Sequence, residues 1–204
     1  MNWIGMLLLL LLVSATTSQA GEVFLIPESN PGPEYPRVLQ RAGITGDVRV
    51  SFTVHADGSV NKVSVLQSDH PALAESALAA VKDWRFKPWT VEGDKPAEQE
   101  VHAPLAFRMQ APPGVNQWIK ALPCREVNAY LANVAEYSWV DSLPFHYTRG
   151  YLSNTFFQHQ LSNEQRLSLI AKLNRRVSDI VVRCRERPTS KFMTLLPEDI
   201  RQLL

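Results

Sequence analysis

The sequence is short of net charge, of metal-ligand patterns and of catalytic motifs. Twenty-one Lys and Arg residues against 20 Asp and Glu leave a formal charge of +1, whereas a dedicated nucleic-acid binder needs a clear basic excess. The five histidines, His55, His70, His102, His146 and His159, stand at no metal-ligand spacing. There is no glycine-rich phosphate loop and no nucleophile-elbow pattern around any serine, and the carboxylates are scattered. An enzyme, a metal site and a cofactor are therefore not expected. No low-complexity tract outside the first residues and no internal repeat is found. What remains is a chain of ordinary globular composition, long enough at 204 residues for one or two domains.

Residues 1–21 contain no charged side chain, and the apolar run Trp3 to Val13 is centred on Leu7–Leu12. That length suits a signal-peptide core, which needs about 7–15 residues, better than a bilayer span of about 20. Ser18-Gln19-Ala20 supplies the small residues a signal peptidase reads, so residues 1–20 read as a leader cleaved before Gly21, with an uncleaved anchor as the alternative. In an exported chain, Cys124 and Cys184 read as a disulfide. Closing a loop of about 60 residues stabilises by about 4 kcal/mol in the chain-entropy treatment. Two buried free thiols are the other reading.

Residues 21–34, with Pro27, Pro31 and Pro33, read as an extended lead-in. Tyr35 to Ala42 forms one or two helical turns that Gly43 ends. Val48, Val50, Phe52 and Val54 alternate with Arg49, Ser51, Thr53 and His55, the signature of a half-buried strand. Asp57-Gly58 marks a hairpin turn. Val60, Val63 and Val65 follow on a second strand, with a phase slip at Asn61-Lys62. Asp69 is placed to cap a helix beginning near Pro71, whose stripe is Leu73, Ala77, Ala80, Val81 and Trp84. Pro88 ends that segment. A third strand runs over Val101, Ala103, Leu105, Phe107 and Met109. The fold class expected for 35–111 is α+β, a helix packed on an antiparallel three-stranded sheet.

Ala111-Pro112-Pro113-Gly114 marks a boundary, after which 115–204 reads as a helical domain. Pro123 starts a helix with Val127, Tyr130, Leu131, Val134 and Tyr137 on one side. Ser162 and Gln165 make a capping box ahead of one long helix carrying Leu167, Ile170, Leu173, Val177, Ile180 and Cys184. Arg175, Arg176, Arg183, Arg185 and Arg187 crowd its second half, as a solvated face or a surface for an anionic partner.

The span Tyr35–Met109 resembles the C-terminal domain of TonB-type energy transducers. The resemblance rests on Tyr35-Pro36, on Gly46 ahead of Val48-x-Val50-x-Phe52-x-Val54, on Asp57-Gly58-x-Val60, and on Trp84-Arg85-Phe86-x-Pro88 with Phe107 near the end of the last strand. Trp84 and Phe86 read as core first and as contact surface second. The resemblance implies a periplasmic, non-catalytic protein-binding domain that grips the TonB-box segment of an outer-membrane transporter by strand addition. The matching edge is 101–109, with Val101, His102, Ala103, Leu105, Ala106, Phe107 and Arg108 as partner-binding residues. Pro104 supports an edge position; it either removes one hydrogen bond from the guest or blunts the edge against aggregation. The expected partner is a protein, or a second copy of the chain in a homodimer. Nucleic acid is not expected, and membrane contact only if the leader is uncleaved. Three features depart from the resemblance: the leader is short for a membrane span and carries no histidine of the kind the family's anchor uses for coupling, no long proline-rich spacer precedes Tyr35, and a helical tail follows. The alternatives are a membrane-anchored energy transducer and an assembly adaptor working through its tail.

Overall fold

The computed structural model describes Gly21, residues 23–154 and residues 161–204. The expected leader and His159 lie outside these residues.

The alternating run forms β2 (Gly46–His55), whose apolar side chains Val48, Val50, Phe52 and Val54 are essentially fully buried. Strand β3 (Val60–Ser68) pairs antiparallel with it, and the ladder shifts between Ser51 and Thr53. The phase slip in the sequence is this irregularity: Lys62 takes a φ of 50°, the left-handed region. Strand β5 (Glu98–Phe107) pairs with the other side of β2, giving the sheet order β3-β2-β5. Helix α2 (Pro71–Lys82) lays Leu73, Ala77 and Val81 on the apolar face. Complete burial of Leu73 and Val81 stabilises the unit by about 2 kcal/mol each.

The cap of α2 differs from expectation. His70, not Asp69, is the N-cap, and its Nδ1 accepts from the Ala72 N–H at 3.1 Å. Asp69 is turned toward the sheet, where it accepts from the Asp47 N–H at 2.8 Å. The lead-in is also more ordered than its prolines suggest. Its residues Pro27–Ser29 form β1, which pairs antiparallel with β4 (Arg85–Phe86).

This second small sheet explains the tryptophan motif. Trp84 and Phe86 are buried against Phe52, with ring centroids 5.5 and 6.1 Å away, and Trp84 Nε1 donates to the Pro31 carbonyl at 2.9 Å. The Phe86 N–H donates to the Gly58 carbonyl at 2.9 Å. Gly58 has a φ of 83°, and a Cβ on it would lie 1.9 Å from the Phe86 carbonyl oxygen. Turn geometry and close approach both demand glycine there. Pro88, just beyond β4, lies outside any helix or strand.

Tyr35 and Pro36 introduce α1 (Arg37–Ala42), which ends at Gly43 as expected. The Tyr35 hydroxyl donates to the Ile44 carbonyl at 2.7 Å, and its ring meets Phe107 edge-on at 5.6 Å. The lead-in is thereby tied to the last strand.

The tail forms a separate apolar cluster of helices. Gly114 precedes α3 (Val115–Ala121), and Pro123 caps α4 (Cys124–Tyr130). Helix α4 is shorter than its pattern suggested. Val127 and Leu131 are buried, but Tyr130 is 42% and Tyr137 80% exposed, so they are not on one core-facing side. A 3₁₀ turn (Glu136–Asp141) leads to α5 (Leu143–Asn154). The capping box of Ser162 and Gln165 is present at α6 (Asn163–Arg175). The long helix is in fact two, because Arg176 breaks it before α7 (Val177–Glu186). No proline or glycine marks the break, so periodicity alone could not show it. A disulfide joins Cys124 on α4 to Cys184 on α7, both fully buried. A 3₁₀ turn (Phe192–Leu195) and α8 (Glu198–Arg201) close the chain. Among the described residues no helix is long and apolar enough to cross a membrane.

Helix α1 joins the two clusters. A Cβ on Gly43 would fall 2.3 Å from Ile170 Cδ1 of α6. Buried Arg166 donates to the Gly43 carbonyl at 2.6 Å, and Asn174 Nδ2 to the Arg41 carbonyl at 2.7 Å. Arg41 Nε reaches Asp141 Oδ1 at 2.8 Å. Arg149, only 1% exposed, donates to the Val140 carbonyl and to Asn174 Oδ1. Burial lowers its pKa to about 10, so it stays charged at neutral pH.

Candidate functional site

Strand β5 lies at one side of the sheet, and its partner bonds can be assigned from the ends of β2. The Ala56 N–H donates to Ala97 O, and the His55 N–H to Ser59 O, both at 2.9 Å. Residue 56 therefore turns its main chain toward β5 and residue 55 toward β3. Hydrogen bonds in an antiparallel ladder alternate. Followed along the register from His55↔Glu98 to Gly46↔Phe107, Gln99, Val101, Ala103, Leu105 and Phe107 bond to β2. Glu98, Glu100, His102, Pro104 and Ala106 turn their main-chain groups outward. The outward row has donors at 98, 100, 102 and 106, and a gap at 104, where proline has no N–H.

Side chains follow the same alternation. Of the residues assigned to the edge from sequence, Leu105 and Phe107 are buried in the apolar cluster of the sheet, and Val101 and Ala103 are half-buried against it. They support the edge from below. His102 and Ala106 are exposed on the opposite face. Arg108 stands just past the strand, where its guanidinium holds Asp47 at 2.6 and 2.9 Å and the Gly46 carbonyl at 2.8 Å.

The open face carries an acid-histidine pair beside the edge. Glu100 accepts from Ser51 Oγ at 2.8 Å and lies 3.2 Å from His102 Nε2. The Ser51 hydrogen bond, then His102, hold its carboxyl below the usual carboxylate range. Glu98 lies 3.2 Å from Lys62 Nζ and 3.8 Å from His55 Nδ1.

Two hollows bracket the edge. One, of about 620 Å³, lies between Val23–Leu25 of the lead-in and Gln99–His102, with the Val23 N–H held on Gln99 Oε1 at 2.8 Å. Phe24 stands 89% exposed on its wall. The other, of about 400 Å³, lies at the far end. It is lined by Pro33 and Tyr35, by Gln40 of α1, by Ala106 and Arg108, and by His146 of the tail. Neither hollow was legible in the sequence, since each joins segments far apart along the chain.

The family model for the C-terminal region of the Gram-negative bacterial TonB protein matches residues 31–109. Residues 31–109 belong to the TonB C-terminal domain family. A TonB protein of Vibrio cholerae is 35% identical over 79 residues, covering 38% of this chain and 32% of that protein. A TonB protein of Xanthomonas campestris is 38% identical over 81 residues, covering 39% and 35%. The solution structure of the Pseudomonas aeruginosa TonB C-terminal domain is 29% identical; the match covers 43% of this chain and 89% of that one, with a TM-score of 0.38. The chain thus spans about a third or less of the length of the curated relatives it matches, and the family match stops at Met109, before the helical tail.

The family motifs acquire physical meaning in the TonB domain. Tyr35 and Phe107 clasp each other, Gly58 admits the Phe86 carbonyl, and Trp84 pins the lead-in through Pro31. A Cβ on Gly46 would approach Asp69 Cβ and Leu73 Cδ1 to 2.9 Å, so glycine lets the start of β2 pack against α2. These residues build the sheet, and among the described residues no strand pairs with the outer side of β5.

Proposed function

We propose that this chain is a non-catalytic protein-binding module of the periplasm that captures an extended partner segment by adding it as a strand to the β5 edge. The observation that carries this reading is the outward row of main-chain groups at Glu98, Glu100, His102 and Ala106, on a strand locked in register by ten pairs with β2. Strand addition uses such a row for affinity and alternate side-chain positions for selectivity. Membership of the TonB C-terminal domain family supports a protein segment as the guest, with the TonB box of an outer-membrane transporter as first choice. Residues 1–20 fit an export signal; retention as an anchor would favour the energy-transducer alternative. Intact mass and membrane fractionation from the host separate the two.

His102→Pro tests the proposal. It removes one outward donor and leaves the bonds to β2 in place. A TonB-box peptide should bind about fivefold more weakly, the loss of about 1 kcal/mol for one main-chain bond, with the thermal midpoint nearly unchanged. Equal affinity in the folded variant would reject strand addition.

A second reading, an adaptor working through the tail, is favoured by one feature. Val38, Tyr130 and Tyr137 are exposed near the groove between α1 and the tail. Partner capture lost in a Tyr130→Ala, Tyr137→Ala variant that still binds the peptide would support it.

A further inference from the structure

The hollow at the far end of β5 joins the TonB domain to the tail, and three of its polar side chains are unengaged. Gln40, Gln110 and His146 line it, and among the described residues none of these side chains has a protein hydrogen-bond partner. Gln40 and His146 are half-buried there and Gln110 is exposed, so all three can turn a donor toward a guest in the hollow. Ala106 and Arg108 line the same hollow, so it is continuous with the outward row of the edge. A strand laid on β5 past Ala106 enters it.

The surrounding charge selects among occupants. Arg108 is balanced by Asp47, and Asp141 by Arg41. Among the described residues, buried Arg166 and Arg149 spend their hydrogen bonds on carbonyl, amide and hydroxyl oxygens and form no ion pair at contact distance. Their field is felt at the wall. Burial raises the pKa of the Tyr35 hydroxyl, and Arg166 and Arg108 pull it back down. Burial and then Arg149 hold the His146 imidazole below its usual pKa, with Asp141 opposing. A cationic guest side chain would be repelled there, and an apolar one would cover the half-buried Gln40 and His146 without bonding to them. A carboxylate accepts from two amide groups and an imidazole N–H, and gains from the positive field.

We propose that this cleft receives an acidic side chain at one end of the added guest strand, and that His146, supplied by the helical tail, is a specificity-determining residue for it. The inference rests on strand addition at β5 and gives the tail a role in choosing the guest. Nine-residue peptides of alternating valine and threonine, carrying Asp, Asn or Lys at either end, test it on the full chain. Amide shifts along Glu98–Ala106 report strand addition independently of charge, and titration calorimetry reports affinity.

In one of the two peptide orders, the Asp peptide should bind about tenfold more tightly than the Asn peptide, a ratio equivalent to about 1.4 kcal/mol, with Lys weakest. His146→Ala should reduce the Asp-to-Asn ratio to about threefold or less while the edge amides still shift. Gln40→Ala gives a second reading should His146→Ala unfold. Equal affinities in both orders with the edge shifting would overturn the cleft assignment alone, as would an unchanged ratio in folded His146→Ala. No edge shift with any peptide would overturn strand addition as well.

Discussion

Replacing Pro104 by valine should tighten guest binding, because the structure makes that proline the one gap in the outward row. The Ala56 N–H bond to Ala97 places residues 98, 100, 102, 104 and 106 with their main chains away from β2. Pro104 pairs with Arg49 across the ladder without owing β2 a donor. Pro104→Val therefore adds one N–H aimed at the guest and disturbs no existing bond. One main-chain hydrogen bond is worth about 1 kcal/mol net, so Kd should fall about fivefold. Proline also restricts the unfolded chain, and losing it costs about 0.4–1 kcal/mol, partly recovered by the strand preference of valine. Stability should change little, while the mended edge should raise self-association. The assay is calorimetry with a TonB-box peptide, paired with sedimentation across a concentration series. Unchanged or weaker affinity in a folded, monomeric variant would refute the assignment of outward groups.

Three further outcomes follow from the packing. Reducing Cys124–Cys184, which closes a 60-residue separation, should cost the tail about 4 kcal/mol; urea unfolding with and without reductant should show this as an early loss of tail structure. Gly58→Ala must hold a left-handed φ and displace the Phe86 carbonyl; it should cost at least about 2 kcal/mol, against less than about 0.5 kcal/mol for Gly32→Ala, which meets nothing within 4 Å, by thermal melts. His146 has a folded pKa below its ordinary 6.5, chiefly through burial, so the unfolded chain takes up the proton first. Stability should fall as pH drops below about 6.5 and level off under the folded pKa, and His146→Gln should flatten that slope in denaturant titrations from pH 7.5 to 5.

The sheet was readable because each strand buries one face, so Val48, Val50, Phe52 and Val54 announce themselves by alternation. The Lys62 irregularity showed as a phase slip for the same reason. The cap at His70 was hidden because Asp69 has the more usual capping side chain and a competing partner in the Asp47 N–H. Strand β1 was hidden because Pro27-Glu28-Ser29 is exposed and has no apolar pattern. The break at Arg176 carries no helix-stopping residue. Of the candidate site, the edge strand itself was legible, with Pro104 as its marker. The direction of the Pro104 nitrogen came from the ladder register. His146 was out of reach, because long-range docking brings the tail to the end of β5: Gly43 and Arg41 onto α6 and Asp141, and Asn154 of α5 onto the Met109 carbonyl.

Amide hydrogen exchange with and without a TonB-box peptide tests the central claim most directly. Gln99, Val101, Ala103, Leu105 and Phe107 already donate to β2 and should be protected in the free protein. Peptide should add protection at Glu98, Glu100, His102 and Ala106, in strict alternation. Peptide binding that leaves those four amides exchanging as in the free protein would contradict strand addition at β5.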